Sequence, residues 1–181
     1  NGRYGRQSER RCGVEGGLGS DRNRALARDE LRRYLQPKVD VAAGCVKGAE
    51  ALLRWQHAQR GLINPGVFIP LAEETGLILP IGNWVLREAC EQLARWGEAG
   101  WDGLSISVNV ASLQLKGGDL FDEVRSVLSA TGVAPSRLIL ELTESAVFEN
   151  AAAHSKILHM IRSLGVRMAL DDSATGVASP L

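Results

Sequence analysis

Apolar residues along this chain switch between a period of two and a period near 3.6, and each switch marks a new element. Strand-like runs cover Tyr34–Val39, Val46–Trp55, Leu104–Ala111, Leu138–Glu144 and Val166–Asp172. Helical runs lie between them. Asn64–Gly76 opens on an Asn-Pro start signal and closes on glycine. Ile81–Glu98 is long and amphipathic, with Trp84, Leu86, Cys90, Leu93 and Trp96 as core positions. Leu120–Ala130 is closed by Gly132, with Pro135 blocking its continuation, and Asn150–Leu164 is closed by Gly165. Asp21–Arg33 has a helical period around Leu26 and Leu31. Alternation at this length predicts an α/β fold of right-handed parallel βα units with about five strands.

Strand alternation aims the side chains. Leu138, Leu140 and Leu142 share one face, while Ile139, Glu141 and Thr143 share the other. Ile106, Val108 and Val110 likewise oppose Ser105, Ser107, Asn109 and Ala111, and Glu50, Leu52 and Arg54 point together. The apolar faces need helices over them. The mixed faces then look inward, where polar groups near the carboxyl ends can meet. Glu50, Asn109, Glu141, Asp171 and Asp172 each fall at or near a strand end. Hard oxygen ligands on successive units predict a divalent-cation site at the mouth of a parallel α/β barrel. Carboxylates buried there without a cation would be costly.

Composition adds limits. Hydrophobic residues make up 45% and charged residues 23%, as in an ordinary soluble globular domain. Net charge is zero, so nothing in the overall balance points to a nucleic-acid polymer. The charge is uneven, however: the first 33 residues hold nine Arg, no Lys and five acidic residues, which leaves the remainder acidic and better suited to a metal. Residues 1–20 are rich in Gly and Arg without an apolar period and read as a disordered linker. The GGLG run at 16–19 lacks the Lys-Ser/Thr of a phosphate loop. No apolar run approaches the roughly 18 residues that a membrane span needs. No signal peptide is visible, and an initial Asn indicates that the natural start is missing or processed. Cys12, Cys45 and Cys90 form neither a disulfide framework nor a zinc motif, which fits a reducing compartment. His154 and His159, five apart, read as solvated helix positions, His57 as an inert loop residue, and Trp55, Trp84, Trp96 and Trp101 as packing residues.

The motifs themselves resemble a known family. EALLRW at 50–55 is similar to the signature of the EAL domain, a cyclic di-GMP phosphodiesterase family. YLQPKVD at 34–40, NPGVFIPLAEETGLILPIGNWVLREAC at 64–90, NVASLQL at 109–115, LILELTES at 138–145 and ALDDSATG at 169–176 follow in family order, so the resemblance covers roughly residues 24–181. It implies a TIM-like barrel whose first strand runs antiparallel to the others. It assigns Glu50, Asn109, Glu141 and Asp171 as ligands of Mg²⁺ or Mn²⁺. Asp172 then serves the second metal and the attacking water, making Glu50 and Asp172 the catalytic carboxylates. Gln36, Leu52 and Arg54 match positions that hold the dinucleotide. Glu144 and the loop after Asp172, with Thr175 and Gly176, match the region that supports the metals and forms a dimer contact. The implied reaction opens one phosphodiester of cyclic di-GMP to linear pGpG in bacterial second-messenger signalling.

The departures shape further expectations. The family reads DDFGTGYSSL where this chain reads DDSATGVASPL, and Ala111 stands where the family usually has Ser. Later strands of the family add a Lys, a Glu and a Gln that follow the last residue here. The chain therefore reads as an incomplete barrel, with 21–181 a partial EAL-like domain, inactive and marginally stable alone. The alternative function is a degenerate module that binds cyclic di-GMP or a protein without turnover. The resemblance further implies a diguanylate-cyclase-like or sensory domain upstream and a bacterial cytoplasmic setting, with a membrane-tethered parent left open.

Overall fold

A computed structural model of the chain describes residues 30–117, 119–143, 146–147, 149 and 151–171. The linker expected at 1–20, the helical period before Glu30, Glu144, and the loop with Asp172, Thr175 and Gly176 lie outside the described residues. The elements are β1 (Leu31–Asp40), β2 (Cys45–His57), β3 (Gly61–Ile63), α1 (Pro65–Glu74), α2 (Ile78–Glu98), β4 (Ser105–Val110), α3 (Ser112–Lys116), α4 (Leu120–Thr131), β5 (Leu138–Thr143), α5 (Ala151–Ser163) and β6 (Arg167–Asp171). A single 3₁₀ turn, Pro135–Arg137, precedes β5. Residues 31–33 begin β1 and do not continue a helix. They alternate between buried and exposed positions, and pairing with β2 overrides the local helical period.

The strand order is β1-β2-β4-β5-β6, with β3 paired to β2. Six strands are therefore present among the described residues where the periodicity predicts about five; β3 is too short to show a period of its own. The sheet does not close among the described strands: β1 and β6 lie at its ends. β1 and β2 are joined by only four residues, so these neighbours run antiparallel. Pro37 fits an edge strand, where a missing amide donor is tolerated. The pairs β2–β4, β4–β5 and β5–β6 are all parallel. This is the α/β architecture with an antiparallel first strand that the resemblance implies.

The described residues divide into two compact units, one of residues 30–32 and 54–77, the other of 33–53 and residues from 78 on. In the smaller unit, β3 returns antiparallel along the end of β2, with Trp55 opposite Ile63. Trp55 is buried, meets the Phe68 ring edge-on at 5.8 Å between centroids, and donates its indole N–H to Glu30 at 2.9 Å. Asn64 caps α1 by accepting from the Gly66 amide at 2.9 Å, as its Asn-Pro signal predicts. His57 is not a loop residue. It ends β2, is buried, and its Nδ1 accepts from the amides of Gln59 and Arg60, closing the turn into β3.

In the larger unit, α2 packs on β4 and α4, and α4 packs on α5. Ile106, Val108, Val110, Leu138, Leu140 and Leu142 all point into this core. On α2, Leu86, Cys90 and Leu93 are buried as the pattern predicts, while Trp84 and Trp96 are half-buried; Trp101 is exposed and is no core residue. His154 is buried rather than solvated, with its Nδ1 2.7 Å from the Ala146 carbonyl, whereas His159 is exposed. Arginines tie down the amino ends of the strands. Arg137 donates to the carbonyls of Leu104 and Trp101, both at 2.9 Å, and Arg167 donates to the Ser136 carbonyl at 2.7 Å. These bonds hold the register, and a slip of one residue would turn every side chain to the opposite face.

Burial, reinforced by the neighbouring Glu91, pushes the Cys90 thiol up to about 12, while Cys45 is exposed. The folded protein is expected to block Cys90 from thiol alkylation at neutral pH while Cys45 reacts readily. Peptide mass spectrometry after alkylation checks this; fast native modification of Cys90 would contradict the packing of α2.

Candidate functional site

Parallel pairing gathers the polar positions onto one face. Glu50 of β2 is in register with Ser107 of β4. Two residues further along β4, Asn109 is in register with Glu141 of β5. Two residues further along β5, Thr143 is in register with Asp171 of β6. Residues in register share a face, as do residues two apart on one strand. Glu50, Ser107, Asn109, Glu141, Thr143 and Asp171 therefore occupy a single face and climb toward the carboxyl ends. The opposite face carries the buried aliphatic residues. Of the predicted ligands, four are described, and the register brings all four to this face.

Contacts within that face differ from an open ring of carboxylates. Asn109 donates its side-chain N–H to Glu50 Oε1 at 2.8 Å. The amide is planar, so this bond turns Asn109 Oδ1 away from Glu50. Glu141 is paired with Lys38, whose ammonium also donates to Ser107 Oγ at 2.9 Å. Lys38 is not among the residues the sequence predicts for the site, though it stands two residues after Gln36 on a strand that alternates. Among the described residues, no three His, Cys, Asp or Glu side chains close on a common point that could hold a metal ion. The donor chemistry nevertheless fits a hard divalent cation: carboxylate oxygens from Glu50, Glu141 and Asp171, and an amide oxygen from Asn109, on adjacent strands of one face. Soft or imidazole donors are absent from that set, so copper or structural zinc is a poor match.

Gln36 is exposed on β1 and Leu52 is half-buried on β2, both in the larger unit; Arg54, half-buried on β2, belongs to the smaller one.

The exit of β4 is fixed by Gln114 of α3. This buried side chain accepts from the Ala111 amide at 3.0 Å, two residues beyond Asn109. Gln114 lies directly on Gly82 of α2, where an added Cβ would come within 2.2 Å of its amide nitrogen. Gln114 fills the space beside Gly82, so any side chain at 82 would have to push it aside. Gly82→Ala should displace Gln114, strip the Ala111 amide of its partner and lower stability by about 1–3 kcal/mol. Denaturant unfolding measures the loss; an unchanged midpoint would show that the Gln114 seat is not needed.

Residues 20–181 match the family model described as EAL domain. The bifunctional diguanylate cyclase/cyclic di-GMP phosphodiesterase MucR of Pseudomonas aeruginosa is 47% identical over 161 residues, which cover 89% of this chain and 24% of that protein. The cyclic di-GMP phosphodiesterase NbdA of the same species is 41% identical over 155 residues, covering 86% and 20%. A solved structure of the PaMucR phosphodiesterase in a c-di-GMP complex superposes with a TM-score of 0.84 at 46% identity, over 90% of this chain and 66% of that one. The chain spans about a quarter or less of the curated relatives it matches. The order of the motifs, the register that aligns their polar residues and the match over residues 20–181 lead to one assignment: the chain belongs to the EAL domain family.

Proposed function

We propose that within the whole protein this domain hydrolyses one phosphodiester of cyclic di-GMP to give linear pGpG, at the carboxyl rim of the sheet face carrying Glu50, Asn109 and Glu141, and that residues 21–181 alone do not turn it over. The observation that carries the reading is the Glu50–Asn109 hydrogen bond with Glu141 in register beside it. The named activities of MucR and NbdA, and the c-di-GMP complex of PaMucR, support the same reaction class.

Glu50, Asn109, Glu141 and Asp171 would hold Mg²⁺ or Mn²⁺, with Asp172 at a second position. A divalent cation held there would neutralise charge on the phosphate and activate water as the nucleophile. The protein's own part is orientation. Asn109 is fixed by Glu50 and Glu141 is held on β5, and Asp172 would serve the second metal and the attacking water. Gln36, Leu52 and Arg54 bind the dinucleotide, with Arg54 at a phosphate. Glu144, Thr175 and Gly176 support the loop after β6, which also provides a homodimer contact. A cyclase-like domain in the same polypeptide, as the name of bifunctional MucR describes, would place the substrate's synthesis and breakdown in one cytoplasmic protein. No helix among the described residues is long and apolar enough to cross a membrane.

In the whole protein, Glu50→Ala is expected to lower kcat for cyclic di-GMP by more than about 100-fold, because it removes an anionic ligand and frees Asn109. Arg54→Ala should act mainly on KM, raising it about 10- to 100-fold through loss of a charged hydrogen bond. Chromatographic assay of pGpG with Mg²⁺ or Mn²⁺ decides. Full turnover by Glu50→Ala would refute the assignment. Tight cyclic di-GMP binding without turnover by the unmutated protein would favour the binding-module reading, to which the replacements at Ser173 and Ala174 point.

A further inference from the structure

Lys38 lies on β1 between two exposed neighbours, Pro37 and Val39, yet is itself only half-exposed. Its ammonium reaches two adjacent strands of the polar face at once. It donates to Ser107 Oγ on β4 at 2.9 Å and pairs with Glu141 Oε1 on β5. Ser107 is in register with Glu50, and Glu141 with Asn109, so both partners belong to rows that carry assigned ligands. The Glu141 side chain is only 11% exposed, and a carboxylate so enclosed is costly without a counter-charge. Among the contacts of Glu141, the ammonium is that counter-charge.

The geometry points to Lys38 as an internal stand-in for the cation: it holds Glu141 in the metal-free protein, withdraws when a divalent ion binds, and sets the affinity for that ion. The inference rests on Glu141 being a metal ligand, as proposed above. A single ammonium and a divalent cation compete for the same carboxylate oxygens and repel each other. Lysine suits the task because its charge is compact and its stem is flexible. The Lys38 side chain is 42% exposed, so it has a way out to water. Ser107 keeps a hydroxyl at the place the ammonium leaves. Lys38 is thus a positioning residue, acting through Glu141.

The test is a Mn²⁺ binding isotherm for the purified protein, Lys38→Met and Lys38→Arg, joined to amine acylation of the unmutated protein read by peptide mass spectrometry. Lys38→Met should bind Mn²⁺ about tenfold more tightly, the scale of one unit charge a few ångströms away in a partly solvated site. It should also unfold at a lower temperature without metal and recover when Mn²⁺ is added. Lys38→Arg keeps the charge and should match the unmutated affinity more closely than Lys38→Met does. Acylation of Lys38 should speed up on adding Mn²⁺. Equal or weaker binding by a folded Lys38→Met, or acylation that Mn²⁺ does not change, overturns the role of Lys38 alone. Absence of Mn²⁺ binding in all three proteins overturns the metal reading and this inference with it. Should Lys38→Met fail to fold, the acylation rate decides by itself.

Discussion

The parallel register of β2, β4, β5 and β6 is the constraint on which the site depends. Each step across the sheet pairs a polar residue with one on the next strand, and each next site residue stands two positions further on: Glu50 with Ser107, Asn109 with Glu141, Thr143 with Asp171. Side chains in a strand alternate, so a shift of a single residue at any pairing would bury these groups in the aliphatic core and expose the leucines of β5. The register is thus held by energy from both faces. Leu138, Leu140 and Leu142 lose contact with water on one side, while ionic groups keep their partners on the other.

Supports outside the sheet guard this alignment at both ends. At the amino ends, Arg137 and Arg167 satisfy carbonyls of the preceding connections. At the carboxyl end of β4, Gln114 binds the Ala111 amide from a seat directly against Gly82. The helix α2 therefore contributes more than an apolar cover. Through Gly82 it governs where the chain leaves β4, two residues after Asn109.

Much of this was legible in the chain itself. The alternation in LILELT and SISVNV foretold which residues would face the core, and every one of Leu138, Leu140, Leu142, Ile106, Val108 and Val110 is buried. The Asn-Pro signal and Gly132, with its left-handed φ of 65°, marked helix ends by chemistry that acts locally. What could not be read was set by distant partners. His154 looks like a surface residue on a polar helix, yet the Ala146 carbonyl and the packing of α5 enclose it. His57 carries no sign that it caps the turn into β3. Residues 31–33 follow a helical period until pairing with β2 claims them. Lys38 escaped notice because a lysine on an edge strand ordinarily faces water, and only the fold brings Glu141, 103 residues away, beneath it.

If one sheet face, aligned by register, forms the cation and substrate site, Mn²⁺ must bind beside Asn109. Paramagnetic broadening by Mn²⁺ in nuclear magnetic resonance spectra tests it most directly, because broadening falls steeply with distance from the bound ion. The Asn109 side-chain amide signals and the backbone amides of Glu50, Glu141 and Asp171 are expected to vanish early. Signals from the outer groove of Arg87, Glu91 and Thr131 between α2 and α4 should persist. Broadening centred on that outer groove, with Asn109 unaffected, would contradict the account.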